Sequence, residues 1–442
     1  MNADETTMRN TPDLGDSSLH DTSEQNQSAA GPVIPRLSTV PLLTFLSAVE
    51  LASGCASGIP KRPPLPLDKL DQAAIVGHSN NIRGLGLRTS PELQEDFVDG
   101  LVDGGREHAC EFKDGEPVMC VLVISGGGGW GAFGAGVLNG WTDTGNRPNF
   151  KIVTGISTGA LIAPFAFLGP DFDSVLKDAF TTIEGESDLF TRRSLFALFS
   201  ADSVASNAPL KRRLDAAITP AVVEAIADAH RDGRRLYIGT TNLDAQRFSI
   251  WNIGAIAVNG DIDLIRNVIL ASTAIPGIMP PVSFEATIDG ETYEELHSDG
   301  GLQAQFFIPL NVVDLQAAIM SAKARGFDGT PRPKLFVIRN ARFIPDPEQV
   351  RRRLLPIVQR SLTTMTQAMG RSDLYQIFAI SRARGSDLLY AEVPETFSWD
   401  SKDQFDGGEM RRLYDIGVNF GQDESSWKTT PLGLFTKNAG FE

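Results

Sequence analysis

One serine in the chain has the setting of a catalytic nucleophile. The segment Gly155-Ile156-Ser157-Thr158-Gly159 is the only Gly-x-Ser-x-Gly pattern in the sequence, and it lies between an apolar segment and Ala160-Leu161-Ile162-Ala163. These neighbours predict a tight strand-to-helix turn, where glycines remove side chains that would clash and the serine hydroxyl becomes exposed. The helix N-terminus favours developing negative charge. Acyl transfer through Ser157 is therefore the predicted chemistry, and a packing turn is the alternative.

A glycine-rich segment precedes this serine and follows another apolar segment. Residues 125–136 read Ser-Gly-Gly-Gly-Gly-Trp-Gly-Ala-Phe-Gly-Ala-Gly. So many glycines let backbone N–H groups turn toward one point, which suits either an oxyanion hole or a phosphate. Residues 129–134 also fit Gly-x-Gly-x-x-Gly, but a dinucleotide site needs a carboxylate after the next strand, and that strand leads to Gly155 and Ser157. No Gly-Lys-Ser or Gly-Lys-Thr follows, which excludes a P-loop.

The general base cannot be chosen from the pattern alone. Asp-Gly-Gly occurs three times, beginning at Asp103, Asp299 and Asp406, and the last copy is typical of a turn that enters a helix. Histidine is the usual rival, and His297 lies two residues before Asp299. In a strand the two side chains would face the same side. His297 could therefore tune the dyad or contact substrate, and the alternative is a structural residue.

The order of four motifs along the chain resembles that of the patatin-like phospholipase family. The motifs are Gly-Gly-Gly-x-x-Gly at residues 126–131, Gly-x-Ser-x-Gly at 155–159, Ala-Ser-x-Ala-x-Pro at 271–276 and Asp-Gly-Gly at 299–301. Each motif is weak alone, whereas four in order over roughly residues 117–310 are specific. The resemblance implies a three-layer α/β/α sandwich with a mostly parallel central sheet.

The same resemblance implies roles for individual residues. Ser157 and Asp299 would form a dyad, in which Asp299 takes the proton that a histidine takes in a triad. The backbone amides of Gly127, Gly128 and Gly129 would hold the oxyanion. The implied activity is hydrolysis of acyl esters of lipids or phospholipids through an acyl-enzyme, of the phospholipase A type. No metal or organic cofactor is implied, because the motifs supply both the nucleophile and the base.

The chain departs from the family pattern at Trp130, where the family usually carries Lys or Arg. An indole offers an apolar face that suits acyl or glycerol contact, so a preference for anionic headgroups is not expected. The departure also keeps open a catalytically weak, lipid-binding protein of the envelope. A Ser–His–Asp hydrolase is disfavoured, because that fold needs a late catalytic histidine and none follows His297.

Apolar segments alternate with helical patterns, which favours a sheet covered by helices on both faces. Strands are predicted near residues 118–124, 150–154, 235–239 and 334–338, with helices around 174–182, 208–229 and 350–369. The expected catalytic domain spans residues 116–425, preceded by a Pro-rich tether and lead-in at 56–115 and followed by a C-terminal tail at 426–442.

The N-terminal residues have the composition of an export and anchoring segment. Residues 1–35 are polar and acidic, which predicts a disordered leader. Residues 36–55 combine Arg36, an apolar stretch and the ending Ala-Ser-Gly-Cys, which resembles a bacterial lipobox with lipidation at Cys55. The expected location is the bacterial cell envelope, on a membrane surface through a lipid anchor. The alternative is a soluble cytoplasmic protein.

Composition limits the remaining classes. The formal net charge is −15 and the pI is near 4.9, which argues against a nucleic-acid partner. No apolar stretch reaches the ~18 residues of a membrane-spanning helix. The three cysteines show no metal-ligand spacing with histidine. Cys110 and Cys120 could pair in an exported chain, although two free thiols remain an alternative.

We expect the mature chain to begin at Cys55 and to carry acyl groups. The reason is the apolar stretch that ends in small residues immediately before this cysteine. Intact mass spectrometry of the protein purified from its native membrane measures both the start and the added mass. An unmodified N-terminus upstream of residue 55 would contradict export and anchoring together.

Overall fold

The computed structural model describes residues 65–434, apart from Arg106, residues 195–201, Thr330 and Asp346. The predicted leader, the lipobox segment with Cys55, and residues 56–64 of the tether lie outside the described residues. The end of the expected tail, from residue 435, also lies outside them.

The strands are β1 (Ala74–Ile75), β2 (Arg83–Leu85), β3 (Glu111–Lys113), β4 (Glu116–Ile124), β5 (Ile152–Ile156), β6 (Thr191–Arg192), β7 (Ala205–Ser206), β8 (Arg235–Asn242), β9 (Arg247–Asn252), β10 (Val282–Ile288), β11 (Glu291–Asp299), β12 (Arg332–Arg339) and β13 (Asp387–Glu392). The α-helices are α1 (Pro91–Gly104), α2 (Gly131–Asp143), α3 (Thr158–Leu168), α4 (Asp173–Thr181), α5 (Ala208–Ala217), α6 (Pro220–Arg231), α7 (Ile253–Val258), α8 (Ile262–Ser272), α9 (Leu315–Ala324), α10 (Leu354–Ala383) and α11 (Gly407–Gln422).

The main sheet has a parallel centre and antiparallel edges. Its neighbours run β1-β10-β11-β8-β5-β4-β12-β13, and the pairs from β8 to β13 are parallel. The pairs that involve β1, β10 and β11 are antiparallel, as are β2 with β9, β3 with β4 and β8 with β9. The sheet is therefore mixed, and its parallel part is the centre that the alternation of strands and helices predicts.

Strand β4 shows why the fold has three layers. Along it, Cys120, Leu122 and Ile124 join one hydrophobic core, while the alternate residues Met119 and Val121 join a second core on the other face. Helices that cover both faces leave a central strand apolar throughout, as this one is from Pro117 onward. The three-layer α/β/α architecture follows from this double burial.

Two of the predicted helices differ in extent. The pattern over 208–229 forms two helices, because Thr219 caps the second through a bond from the Val222 amide and Pro220 occupies its first turn. The pattern over 350–369 forms the first part of α10, which runs for 30 residues. Within the described residues, no helix is both long enough and apolar enough to cross a bilayer.

Segments outside the expected catalytic domain also contribute to the fold. In the lead-in, β1 pairs with β10 and β2 pairs with β9. Cys110 is joined by a disulfide to Cys120 on β4. In the tail, Trp427 is buried against Trp141, and residue 428 forms a bridge with β13. These short pieces lack sequence periodicity, because their positions depend on partners far along the chain.

Candidate active site

The site lies where two strands meet on one edge of β8. Strand β5 runs parallel to β8 and its last residue, Ile156, pairs with Gly239. Strand β11 runs antiparallel and its last residue, Asp299, pairs with Thr240. Their carboxyl ends therefore point toward each other at adjacent positions of one strand. Ser157 follows β5 directly, so this junction brings Ser157 and Asp299 together.

Ser157 occupies a strained turn that its neighbours hold in place. Its backbone has φ 53° and ψ −122°, a region that L-residues rarely adopt. The Ser157 amide donates to Ser272 Oγ at 2.9 Å, and Ser272 Oγ donates to the Gly239 carbonyl at 2.7 Å. A Cβ atom on Gly159 would lie 2.4 Å from the Ile124 carbonyl oxygen, so the turn needs glycine there. The predicted elbow is thus present with both of its glycines.

Asp299 is positioned as a hydrogen-bond acceptor for this serine. Ser157 Oγ donates to Asp299 Oδ2 at 2.7 Å, and the Gly301 amide donates to Asp299 Oδ1 at 2.7 Å. The Asp299 amide donates to the Ala274 carbonyl at 3.0 Å. Burial raises the pKa of Asp299 to about 6, although the bonds from Ser157 and Gly301 oppose the rise. The carboxyl can therefore exchange a proton near neutral pH.

The glycine-rich loop lies beside Ser157. A Cβ atom on Gly126 would come 3.1 Å from Ser157 Cβ. Gly127 and Gly128 have φ values of 156° and 57°, and a Cβ atom on Gly127 would lie 2.2 Å from the Asn340 carbonyl oxygen. Within the described part of the chain, the amides of Gly127 and Gly128 donate to no protein acceptor. These two amides are therefore free to bind an oxyanion.

The amide of Gly129, the third predicted member of the oxyanion loop, likewise donates to no acceptor within the described residues, and Gly129 itself is buried. A Cβ atom there would lie 2.1 Å from the Gln404 carbonyl oxygen. Its lack of a side chain thus serves the packing of the loop.

Asn340 fixes this loop from the end of β12. Its amide donates to Ser125 Oγ at 2.8 Å, and its Nδ2 donates to the Ser125 carbonyl at 2.9 Å. Its Oδ1 accepts from the Gly134 amide at 3.0 Å. One side chain thus ties both ends of the glycine-rich segment together. Three bonds to buried groups are a strong constraint, because each group would otherwise remain unpaired.

His297 is a structural residue in this fold, which corrects its assignment as a possible substrate contact. Its side chain has no exposed surface. Its Nε2 lies 3.1 Å from Glu295 Oε2 and its Nδ1 lies 2.9 Å from Thr240 Oγ1. Because the ionised Glu295 carboxylate can only accept, Nε2 donates to it, and in the neutral ring Nδ1 then accepts from Thr240 Oγ1, which itself accepts from the Trp251 indole. Burial lowers the pKa of His297, which favours this neutral form.

The other Asp-Gly-Gly copies lie elsewhere. Asp406 caps α11 by accepting from the Glu409 amide, as its sequence context predicts. Asp103 lies within α1.

Trp130 lies half-buried at the wall of a cavity of about 420 Å³ that adjoins the loop. The indole stacks on Trp399, with ring centroids 5.8 Å apart, and meets the edge of Phe397. The Arg342 guanidinium lies over the same indole at 5.6 Å. Arg342 also lines the cavity, together with Arg339 and Arg360. A cation from the chain after β12 therefore lies beside position 130.

Sequence reasoning missed the supporting residues of this site. Ser272 lies inside the Ala-Ser-x-Ala-x-Pro motif, so its motif could have identified it. Asn340 and Arg342 directly follow a predicted buried strand, and the carboxyl ends of parallel strands commonly carry functional groups. That position could have identified both. No group of three His, Cys, Asp or Glu side chains suited to a metal ion occurs among the described residues.

Comparison with known proteins agrees with the motif order. Residues 122–311 match the family model of the patatin-like phospholipases, and this range contains the elbow, the glycine-rich loop and Asp299. With the layered architecture, the match identifies a patatin-like α/β/α fold. The matched range covers 190 of the 442 residues.

Individual relatives are distant. An uncharacterized protein, R571 of Acanthamoeba polyphaga mimivirus, is 27% identical over 220 residues, which cover 48% of this chain and 68% of the relative. The crystal structure of VipD from Legionella pneumophila aligns over 72% of this chain and 70% of that chain. Its identity is 11% and its TM-score is 0.31, which does not by itself establish a common fold.

We expect Asp299→Asn to stabilise the protein at pH 7.5 more than at pH 4.5. Because the folded pKa is raised to about 6 from its usual 3.8, the ionised carboxylate weakens the folded state as pH rises through this interval. Asparagine removes that charge, a gain of up to about 3 kcal/mol. Urea denaturation at both pH values measures the difference.

Asp406→Asn is the matched control, because the pKa of Asp406 is lowered instead of raised. The largest cause is the hydrogen bond that its carboxylate accepts from the Glu409 amide. Its carboxylate supports the folded state above its usual pKa, and this support is lost as pH falls. The pH dependence of this variant should therefore have the opposite sign. If both variants changed stability with pH in the same direction, the raised pKa of Asp299 would be contradicted.

Proposed function

We propose that the protein hydrolyses acyl esters of lipids through an acyl-enzyme on Ser157, with Asp299 as the base. The observation that carries the proposal is the 2.7 Å hydrogen bond from Ser157 Oγ to a buried carboxylate whose pKa is raised to about 6. A carboxylate with that pKa is ionised at neutral pH and basic enough to accept a proton. The unpaired amides of Gly127 and Gly128 lie on the adjoining loop.

The proposed reaction has two stages. As Ser157 Oγ attacks the ester carbonyl carbon, its proton passes to Asp299, and the loop amides stabilise the oxyanion. When the intermediate collapses, the C–O bond breaks and the leaving alcohol takes the proton from Asp299. A water molecule then attacks the acyl-enzyme, gives a proton to Asp299, and releases the fatty acid as Ser157 recovers its proton. Histidine has no part in these steps, since His297 is enclosed by Glu295 and Thr240.

The cavity beside the loop supports a substrate with an anionic headgroup. Arg339 is 2% exposed, and within the described residues its Nη1 atom has no hydrogen-bond partner. Burial lowers the pKa of Arg339 to about 10, so it remains charged at neutral pH. Arg342 and Arg360 line the same cavity. The acidic residue of the lining is Glu348, which forms an ion pair with Arg360. An ester-linked phosphate would supply the missing acceptor and charge.

A second, apolar cavity of about 60 Å³ also borders the loop at Gly128 and suits the acyl chain. Its lining begins at Gly128 and Thr158, next to the elbow, and continues along apolar residues such as Leu161, Phe165 and Leu214. Apolar walls favour a hydrocarbon chain over water. The polar and apolar cavities meet at the loop, so an ester bond at Ser157 would separate the headgroup from the chain.

The proposal also places the protein in the cell envelope on a lipid anchor. The support is the apolar segment before Cys55 and the Cys110–Cys120 disulfide, since disulfides persist in oxidising compartments. Mass spectrometry of the native N-terminus, described above, decides between this location and a soluble cytoplasmic protein.

Ser157→Ala and Asp299→Asn should each lower hydrolysis of a soluble short-chain ester by several orders of magnitude. Nucleophile and base act as one unit, so losing either removes the same catalytic step. In the wild type, kcat/KM should fall about tenfold per pH unit below about pH 6, as Asp299 becomes protonated.

Asp103→Asn and Asp406→Asn are the matched controls, because both residues belong to other Asp-Gly-Gly copies. Both should keep near-wild-type rates. An inactive Asp406→Asn with an active Asp299→Asn would exclude the proposed base, and an active Ser157→Ala would exclude the mechanism.

Arg342→Gln should lower the rate on phosphatidylglycerol relative to an uncharged diacylglycerol by roughly three- to tenfold. The reason is the loss of a charge-assisted hydrogen bond to the headgroup. Competition of both lipids in the same micelles measures the ratio. Arg412→Gln is the control, because Arg412 lies over Phe397 at 5.2 Å but does not line the cavity. An unchanged ratio in Arg342→Gln would mean that headgroup charge is recognised elsewhere.

A further inference from the structure

The first half of α10 exposes a continuous apolar face. Its members are spaced by three or four residues, so they lie on one side of the helix. They are Leu354, Ile357, Val358, Leu362 and Met365, with exposed fractions of 76%, 48%, 45%, 42% and 62%. Scattered apolar side chains are ordinary on a protein surface, whereas an aligned row of five indicates an interaction site.

The opposite face of the same helix lines the polar cavity. Arg360, Thr363, Gln367 and Gly370 are again three or four residues apart, and all four border the cavity beside the glycine-rich loop. At 3.6 residues per turn, this row lies on the far side from Leu354, Val358 and Met365. The helix is therefore a wall with the cavity on one side and the apolar face on the other.

We propose that this apolar face docks on an anionic lipid surface, an inference that rests on the proposed lipid hydrolysis. The exposed residues Arg351, Arg352 and Arg353 immediately precede the face. They form a local positive cluster on a chain whose formal net charge is −15. Helices that carry apolar and basic residues together lie in the plane of a membrane interface.

Charge decides between this occupant and a second copy of the chain. In a two-fold dimer the same patch meets itself, and residues 351–365 contain no acidic side chain that could pair with either arginine cluster. An anionic lipid surface complements the cluster instead. Ile344, which is 49% exposed, lies in sequence between Arg342 and Pro345 of the cavity lining. Docking would bring the lipid headgroups to the entrance of the site.

The test compares two methionines in one molecule. Met365 on the apolar face and Met320 on α9 are 62% and 63% exposed. The full chain carrying Ser157→Ala, which leaves the vesicles intact, is treated with peroxide alone, with phosphatidylglycerol vesicles and with phosphatidylcholine vesicles. Mass spectrometry then measures sulfoxide formation at each methionine.

The expected result is a several-fold slower oxidation of Met365 with phosphatidylglycerol vesicles and an unchanged rate at Met320. Equal rates at the two residues while the protein is bound to vesicles would overturn the proposal, because the chain would then attach through another segment. Protection of Met365 without vesicles, rising with protein concentration, would overturn it in favour of a second copy. This test needs no hydrolysis, so its result is independent of whether the proposed mechanism is correct.

A pair of double variants tests the consequence for turnover. Leu362→Asp/Met365→Asp should lower hydrolysis of phosphatidylglycerol vesicles by tenfold or more, with an unchanged rate on a soluble short-chain ester. Leu87→Asp/Met320→Asp alters residues that are 73% and 63% exposed on other elements, and it should match the wild type on both substrates. Equal vesicle rates for the two double variants would overturn the proposal.

Discussion

The site depends on one constraint, which is that β8 pairs with two strands of opposite direction along a single edge. Parallel β5 ends opposite Gly239, and antiparallel β11 ends opposite Thr240. Backbone hydrogen bonds set this register, so the two strand ends meet without any direct contact between the motifs being required. A shift of one residue in either pairing would turn side chains to the other face and separate Ser157 from Asp299.

Two carboxylates of strand β11, Glu295 and Asp299, have pKa values that are shifted in opposite directions. Burial would raise the pKa of Glu295, but the adjacent charge of Arg83 and the hydrogen bond from His297 lower it to about 2. Asp299 lies four residues later and is bonded by a hydroxyl and one amide, with no cation among its partners. Its pKa is therefore raised while that of Glu295 is lowered. Opposite pKa shifts of this kind distinguish a structural ion pair from a group that can exchange protons near neutral pH.

The surroundings of the site are organised by polarity. The glycine-rich loop borders two cavities, one lined by Arg339, Arg342 and Arg360 and the other an apolar cavity that begins at Gly128. An amphiphile has the same division, with a charged head and an apolar chain joined by an ester. The α10 helix adds an apolar outer face to the polar wall of the first cavity, which relates the site to a lipid surface.

The sequence by itself determined the local features. The elbow around Ser157 and the glycine-rich loop are built from contiguous residues whose backbone requirements only a few residue types meet, so pattern was sufficient. The alternation of apolar strands with helices likewise predicted the layers and the parallel centre. The three Asp-Gly-Gly copies are alike locally, so within the sequence only the motif order of the resembled family indicated Asp299. Its 2.7 Å bond to Ser157 joins residues 142 positions apart, which local sequence does not encode. The same reason applies to the burial of His297 and to the approach of Arg342 to Trp130: both follow from strand pairing and packing between distant segments, which no local pattern encodes.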